Sequence, residues 1–299
     1  MRQPEFVRYL DCGQFSNPVT VRGGKGGSPV PVAAGGAVRG RTTAAAVRDV
    51  SRQMRLEAMR KDFVANASHE LRSPLTVISG YLETLSQDPM LDVDLQGPVG
   101  EMRRQAERMT TIITELLELS RLEAAADQID TTEVDVAALM AMLRKDVLAR
   151  HEHPGEVRLR VESDSMLTGN ESEIHSAFSN LVDNAAKYTP SSGSIEIAWS
   201  VDEEGGHFTV TDTGIGIHAD HIPRLTERFY RVDSGRARDT GGSGLGLAIV
   251  KHVLQRHGAT LEIASVQGRG STFTCHFPPQ RLGAARTEAL RELSRSATA

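Results

Sequence analysis

A histidine and a glutamate that lie side by side in a helical pattern form a candidate nucleophilic site. His69 points almost directly away from the apolar stripe that holds Ala67 and Leu71, because successive residues of a helix are about 100° apart. A neutral imidazole is a nucleophile near pH 7, and the Glu70 carboxylate can orient it or take its proton. Ser73 lies one turn further along the same exposed face. The solvated face of a coiled coil is the alternative interpretation.

A set of polar residues shares one face of a later predicted helix. Asn180 and Asn184 are four positions apart and present two carboxamides together, and Lys187 adds a positive charge beside Tyr188. This set suits a Mg²⁺ ion that bridges to phosphate, because the ion keeps several waters and takes few protein oxygens. An ordinary solvated helix face is the alternative interpretation.

Two glycine-rich segments are candidates for binding a nucleotide. In the first, Gly214 and Gly216 permit close approach of the backbone, and the Asp212 carboxylate at a strand end can accept a hydrogen bond from an adenine amine. The second segment runs directly into a helix, whose first N–H groups and positive dipole end suit phosphate. Its predicted contacts are Gly242, Gly244, Leu245 and Gly246. Neither segment has the spacing of a P-loop or a Rossmann fingerprint.

The stretch between the two glycine segments is predicted to be a mobile flap with an aromatic anchor. Phe229 and Arg231 open this stretch, which continues as a polar run to Thr240, and we predict that both contact the nucleotide. A further run, Gly268–Thr272, is either a simple hairpin turn or an additional nucleotide contact through Thr272.

Two long amphipathic helices must position the histidine. From about Ser51 to Gln87, apolar residues recur in steps of three or four, and a second such stripe runs from Val99 to Leu116. We expect the break between them at Asp88, Pro89, Gly97 and Pro98. A two-helix hairpin with heptad-like spacing leaves one apolar side uncovered. We therefore expect a homodimer in which two hairpins form a four-helix bundle.

The remainder of the chain mixes helices and strands. After Ala126 we predict three helices, at 136–149, from 171 onward and at 247–256. We also predict strands at 157–161, 194–200, 207–211, 260–265 and 271–277. Neighbouring strands that can form hairpins favour an α+β sandwich over a doubly wound parallel sheet. Residues 1–45 are predicted to be loops with a short strand at Pro18–Val21, and residues 281–299 a charged, partly helical tail.

Composition excludes several classes of protein. The 299 residues carry 34 Lys+Arg against 39 Asp+Glu, so the net charge of −5 disfavours a dedicated nucleic-acid binder. Two cysteines far apart supply no disulfide framework, which fits a reducing compartment. No apolar run reaches the roughly 18–20 residues of a membrane span, so we expect no span in this chain and a cytoplasmic location for it.

Taken together, these segments resemble the sequence boxes of sensor histidine kinases, in the same order. The matching segments are Phe63–Thr76 (H-box), Asn180–Thr189 (N-box), Asp212–Gly216 (G1), Arg228–Arg231 (F) and Gly242–Gly246 (G2). Each glycine box alone is common, but five ordered motifs between residues 63 and 246 are highly specific.

The resemblance implies a two-domain protein kinase that uses ATP and Mg²⁺, with Asn184 as the Mg²⁺ ligand by matched position. It implies a helical-hairpin dimerisation and phosphoacceptor domain at 51–126, which carries His69. An α/β-sandwich ATP-binding domain of the gyrase, Hsp90 and histidine kinase type would follow at 127–280, before a polar tail at 281–299. His69 would take the γ-phosphate with Glu70 as its acid/base partner, and pass it to an aspartate of a response regulator receiver domain. Ser73 stands where relatives carry a Thr or Asn for regulator dephosphorylation.

A narrower resemblance concerns the phosphate-regulon sensor kinases. Pro4–Leu10, Asn17–Val21 and Ala46–Arg52 look like the closing part of their PAS domain, so residues 1–50 would be a degenerate or truncated PAS-like segment and linker. Full-length relatives are anchored in the inner membrane, and we expect the chain to be N-terminally truncated relative to them. A catalytically silent, nucleotide-binding dimerisation scaffold is the alternative function.

Overall fold

The computed structural model describes residues 19–22, 29–39, 42–49, 70–71, 73–88, 90–124, 132–232 and 242–285. The chain divides into two compact units, Met1–Asn66 and Ala67–Ala299, which are described separately.

The first unit contains an antiparallel sheet of three strands. Its strands are β1 (Val19–Arg22), β2 (Pro29–Arg39) and β3 (Thr42–Asp49), with β2 in the centre. The prediction of loops for residues 1–45 was therefore wrong for β2 and for the start of β3. Glycine and alanine have low strand propensity, but a ladder of backbone hydrogen bonds between adjacent segments does not require large side chains. The likeness to a PAS segment stays a prediction.

The second unit opens with two long helices. Helix α1 covers residues 70–71 and 73–86, and helix α2 is Val93–Ala124. The connection is shorter than predicted, because Gly97 and Pro98 lie inside α2 and do not break it. Pro98 is the sixth residue of α2, so its missing N–H removes one backbone hydrogen bond near the start of the helix without ending it. None of the helices in the described residues is long and apolar enough to span a membrane.

An α/β sandwich follows the two helices. Its elements in chain order are β4 (Thr132–Val134), α3 (Val136–Leu148), β5 (Glu156–Val161), β6 (Ser165–Gly169), α4 (Glu171–Tyr188), β7 (Ser194–Asp202), β8 (Gly205–Asp212), α5 (Gly246–Arg256), β9 (Thr260–Val266), β10 (Gly270–Phe277) and β11 (Leu282–Ala285). The main sheet has the order β5-β7-β8-β10-β9, in which only β5 and β7 are parallel. A smaller sheet has the order β11-β6-β4. The predicted helical hairpin followed by a sandwich is confirmed.

The core lies between the main sheet and its helices. The predicted apolar stripe of α4 is buried, and Phe178 stacks on Phe208 of β8 with ring centroids 3.6 Å apart. From the second residue of β8 and of β10 onward, buried and half-buried residues alternate, so each strand has one core face and one outer face. The same core includes Leu119 and Leu122, near the end of α2.

The start of α4 shows how the local sequence builds the fold. The Asn170 side chain caps the helix by accepting a hydrogen bond from the Glu173 N–H at 3.1 Å. Asn170 and Glu173 have the spacing of a capping box, but its reciprocal hydrogen bond is absent, because the Asn170 N–H donates to His257 Nε2 and Glu173 pairs with Arg256. The cap therefore also ties α4 to the end of α5.

Three short strands and the chain end were not predicted correctly. Strands β4, β6 and β11 pair with one another at the edge of the sandwich. Residues 281–285 were assigned to a partly helical tail, but Arg281 donates to the His257 carbonyl at 3.0 Å and Leu282 begins β11. The rest of that predicted tail lies outside the described residues.

Candidate functional site

Asp212 is a buried carboxylate at the end of β8. It is 6% exposed, and its Oδ1 accepts a hydrogen bond from the Gly214 N–H at 2.8 Å. Burial raises the pKa of Asp212, and the backbone N–H groups of Gly214 and Ser271 oppose this by favouring the charged form. A carboxylate has about four acceptor positions, so two backbone donors leave capacity for a ligand amine.

The turn after Asp212 requires glycine on steric grounds. A Cβ on Gly214 would lie 2.3 Å from the Tyr188 carbonyl oxygen, and the neighbouring Ile215 N–H donates to that same oxygen at 3.2 Å. Gly216 has a φ of +63°, and a Cβ there would meet the Val266 carbonyl oxygen at 2.1 Å. The turn therefore packs tightly against the C-terminal end of α4 and the end of β9, which places Asp212 beside α4.

The polar face of α4 lies against the glycine-rich start of α5. Asn180 donates to the Ser176 carbonyl at 2.9 Å, and its Oδ1 would be 2.4 Å from a Cβ on Gly246. Among the described residues, the half-buried Asn184 carboxamide has no hydrogen-bond partner. Asn180 therefore lies against the α5 N-terminus, and Asn184 lies one turn further along the same face of α4.

Lys187 supplies the positive charge of this polar face. Its Nζ lies 5.3 Å from the centroid of the Tyr188 ring and would be 2.5 Å from a Cβ on Gly242. Burial, followed by repulsion from Arg231, lowers the pKa of Lys187 to about 8, and Glu115 opposes this shift. Burial is also the main cause of the raised pKa of Tyr188. The ammonium is thus partly removed from water, where an anionic ligand would compensate for its lost hydration.

The glycine-rich segment is held in place from two sides. Gly244 has a φ of +76°, and its carbonyl accepts a hydrogen bond from the Phe229 N–H at 2.9 Å. The Arg231 guanidinium donates to the Gly242 carbonyl. Phe229 itself has a positive φ of 62° and is 57% exposed, which leaves its ring accessible. The described part of the predicted flap therefore contacts the phosphate-binding candidate directly, and the remainder of the flap lies outside the described residues.

Two predicted nucleotide contacts stay predictions, and the structure shows where their side chains lie. The Leu245 side chain is fully buried in the core, so only its backbone is available to a ligand. Thr272 lies on the outer face of the sheet, where its hydroxyl is 3.2 Å from that of Thr211. Ser271 occupies the core face instead, opposite Asp212 in the strand register. The alternation of β10 could have identified Ser271 from the sequence.

Two of the three residues of the proposed phosphoacceptor group are among the described residues. His69 lies outside the described residues. Glu70 and Ser73 are in α1, and both side chains are exposed. An exposed position agrees with the predicted polar face of this helix.

Comparison with known proteins assigns both domains. Residues 59–125 match the His Kinase A (phospho-acceptor) domain, and residues 169–281 match the histidine kinase-, DNA gyrase B- and HSP90-like ATPase family. His69 falls in the first range, and the group around Asp212 and Lys187 falls in the second. The chain belongs to the histidine kinase family.

Similar proteins point to one branch of this family. The chain is 48% identical, over 97% of its length, to the phosphate regulon sensor protein PhoR of Pseudomonas aeruginosa, and covers 66% of that protein. It is 39% identical, over 77% of its length, to PhoR of Haemophilus influenzae, and covers 54% of it. The chain therefore spans about half to two thirds of the length of these relatives. A crystal structure of full-length ShkA with AMPPNP superposes on 75% of the chain, with 25% identity and a TM-score of 0.59, and the match covers 46% of the ShkA chain.

Proposed function

We propose that this chain is an ATP-dependent protein histidine kinase of phosphate-regulon signalling. In this proposal His69 is phosphorylated from ATP, and the phosphoryl group then passes to an aspartate of a response regulator receiver domain. The observation that carries the proposal is the group formed by Asp212, the carboxamides of α4, Lys187 and the glycine-rich start of α5. The names of the similar proteins support the phosphate-regulon assignment. ATP and receiver domains are cytoplasmic, so the reaction is assigned to the cytoplasm.

The described residues fit ATP at both of its ends. At the adenine end, Asp212 is a buried acceptor next to a turn in which a Cβ on Gly214 would collide with the Tyr188 carbonyl. At the phosphate end, Lys187 and the first N–H groups of α5 offer positive charge and backbone donors. We assign the adenine amine to Asp212 and the phosphates to Lys187, Asn180 and the α5 N-terminus.

Mg²⁺ is assigned to Asn184. A neutral carboxamide oxygen is a suitable ligand for a hard cation that otherwise keeps water and phosphate oxygens. The Asn184 side chain is half-buried on the same helix face as Lys187 and has no hydrogen-bond partner among the described residues, so it is available for this role. When bound, the ion would neutralise charge on the phosphates during transfer.

Replacing Asn184 by Ala should lower the rate of Mg²⁺-dependent phosphorylation much more than it lowers ADP affinity measured without Mg²⁺. The reason is that the carboxamide is assigned to the ion, whereas the adenine contacts lie elsewhere. A labelling assay measures the phosphorylation rate, and calorimetric titrations with and without Mg²⁺ measure the ADP affinity. Glu171→Ala is the control, since Glu171 is exposed at the other end of α4. Equal losses of ADP affinity with and without Mg²⁺ would show that Asn184 is not a ligand of Mg²⁺.

The transfer step follows from the groups on the two domains. A neutral His69 ring nitrogen attacks the γ-phosphorus, the bond from phosphorus to the ADP oxygen breaks, and Glu70 receives the proton of the imidazole. The positive groups around Lys187 stabilise the ADP leaving group electrostatically. A silent scaffold would need none of these groups, so the intact set favours the enzyme.

The apolar surface of the hairpin supports a homodimer. Six residues at heptad spacing on α1 and α2 are between 42% and 52% exposed in the single chain: Leu71, Ile78, Leu85, Leu95, Met102 and Met109. Neighbouring stripe residues Leu82, Val99 and Ala106 pack together inside the hairpin. Two such stripes joined face to face would bury this surface in a four-helix bundle.

Replacing Ile78 by Glu should convert a dimer into a monomer, because the carboxylate would lie in the apolar seam between hairpins. Sedimentation velocity measures the change. Val77→Glu is the matched control, since Val77 is equally exposed but about 100° away around the helix. A dimer that survives Ile78→Glu would place the interface elsewhere.

Ser73 is proposed to support dephosphorylation of the regulator. It is exposed on α1 one turn after the phosphoacceptor position, and its hydroxyl can donate one hydrogen bond and accept two, which suffices to hold a water. Ser73→Ala should keep autophosphorylation within a few-fold and slow the loss of phosphate from the receiver domain, whereas Ser73→Thr should retain it. An unchanged dephosphorylation rate in Ser73→Ala would exclude this role.

A chase experiment tests the proposed function as a whole. Kinase labelled with γ-labelled ATP, and freed of nucleotide, is mixed with the receiver domain of the phosphate-regulon response regulator. The label should leave the kinase and appear on the receiver domain within minutes, and not on a receiver whose acceptor aspartate is replaced by Ala. A kinase that never becomes labelled would favour the silent scaffold.

A further inference from the structure

A carboxylate of the helical hairpin contacts the glycine-rich segment 242–246, the candidate phosphate-binding segment of the sandwich. The Glu115 side chain on α2 accepts a hydrogen bond from the Ser243 hydroxyl, 128 positions away in the chain. Ser243 stands between Gly242 and Gly244, and its hydroxyl oxygen also accepts the Leu245 N–H at 2.9 Å. Glu115 is therefore linked through one hydroxyl to the N-terminal end of α5, where a phosphate oxygen would be expected.

The charges around Glu115 are those that an anionic ligand would meet. Lys187 attracts the carboxylate, and this attraction also acts on the Lys187 ammonium. Burial is the largest cause of the raised pKa of Glu115, and the carboxylates of Glu118 and Asp183 raise it further. The Ser243 hydrogen bond and Lys187 offset these effects only in part. Burial therefore disfavours the charged form of Glu115 in this contact. A ligand that displaces the carboxylate returns it to water, which favours the exchange.

A second carboxylate of α2 holds the other side of the glycine-rich segment. Glu123 accepts a hydrogen bond from Arg228, just before Phe229, and lies 3.4 Å from His252 Nε2 on α5. Leu119, between the two glutamates, is buried in the shared core. This second contact does not involve Lys187 or Ser243, so it would keep α2 beside the sandwich after Glu115 leaves.

We propose that Glu115 is a built-in competitor of the nucleotide phosphates, which ties α2 to the glycine-rich segment until ATP displaces it. This inference rests on the proposed function, which assigns Lys187 and the α5 N-terminus to the phosphates. A triphosphate carries several charges and can satisfy the Lys187 ammonium and the α5 N–H groups together, whereas Glu115 offers one charge through one hydroxyl. Binding of ATP would free Ser243 and Lys187 from Glu115, while the Glu123 contacts and the buried Leu119 keep α2 beside the sandwich.

Competition for the phosphate position has a specific signature in binding. Glu115→Gln removes the charge and keeps the shape, so it should raise the affinity of the full chain for AMPPNP roughly three- to tenfold in the presence of Mg²⁺. It should leave the affinity for adenosine unchanged, because adenosine has no phosphates to compete. Glu107→Gln is the matched control, since Glu107 is on the same helix and pairs only with Arg103 of that helix among the described residues.

Calorimetry for AMPPNP and NMR titration for adenosine distinguish the outcomes. A gain for AMPPNP alone, absent from Glu107→Gln, supports the competitor. An unchanged or lower AMPPNP affinity in Glu115→Gln overturns it, as does an equal gain for both ligands, which would indicate general loosening. If the parent chain binds neither ligand, the proposed nucleotide site itself fails, and the inference falls with it.

Discussion

Asp212→Asn is expected to weaken the binding of both ATP and ADP by roughly tenfold or more, because it removes a charged acceptor from a buried position. The carboxylate accepts the N–H groups of Gly214 and Ser271 and can still accept an adenine amine. Asn has a single acceptor oxygen, so its NH₂ group must face one of these donors. ATP and ADP share the adenine, and their losses should therefore be similar.

A matched control separates this effect from a general change of charge. Asp202→Asn makes the same substitution at the end of β7, where the side chain is 59% exposed, and should leave both affinities unchanged. Calorimetric titration measures the dissociation constants of the two variants for ATP and for ADP. Thermal unfolding checks that Asp212→Asn remains folded. Loss of ATP affinity with normal ADP affinity would mean that Asp212 contacts the phosphates and not the adenine.

His69→Ala is expected to abolish autophosphorylation while ATP affinity stays within about twofold of the parent, since binding and transfer are assigned to different domains. Every predicted nucleotide contact belongs to the sandwich, and none belongs to the hairpin. The variant therefore separates the nucleophile from the binding site. A parallel loss of ATP affinity in His69→Ala would mean that the hairpin contributes to the binding site itself.

The elements that carry strong periodic signals were predictable from the sequence. Helix α4 has an N-cap at Asn170 and an apolar stripe through Phe178, and it begins where predicted. The glycine segments predicted tight turns. Glycine is required there because a Cβ on Gly214 or Gly216 would collide with a backbone carbonyl. Local sequence determines such features, because each depends on residues a few positions apart.

Features that depend on distant partners were not predictable. Strand β4 has three residues and exists because it pairs with β6, more than 30 positions later. The Thr272 contact stays a prediction, but Ser271 is the residue opposite Asp212, and a shift of one residue exchanges the two faces of a strand. The contact between Glu115 and Ser243 joins two domains, and no periodicity in either segment indicates it.

The most direct test of the kinase assignment is the chemistry of the labelled product. Phosphorus bonded to an imidazole nitrogen is lost in acid and survives in alkali, whereas a serine or threonine phosphate survives acid. Purified chain incubated with γ-labelled ATP and Mg²⁺ should acquire label that is acid-labile and alkali-stable, and α-labelled ATP should give none. Acid-stable label, or acid-labile label that persists in His69→Ala, would contradict the assignment of His69 as the phosphoacceptor.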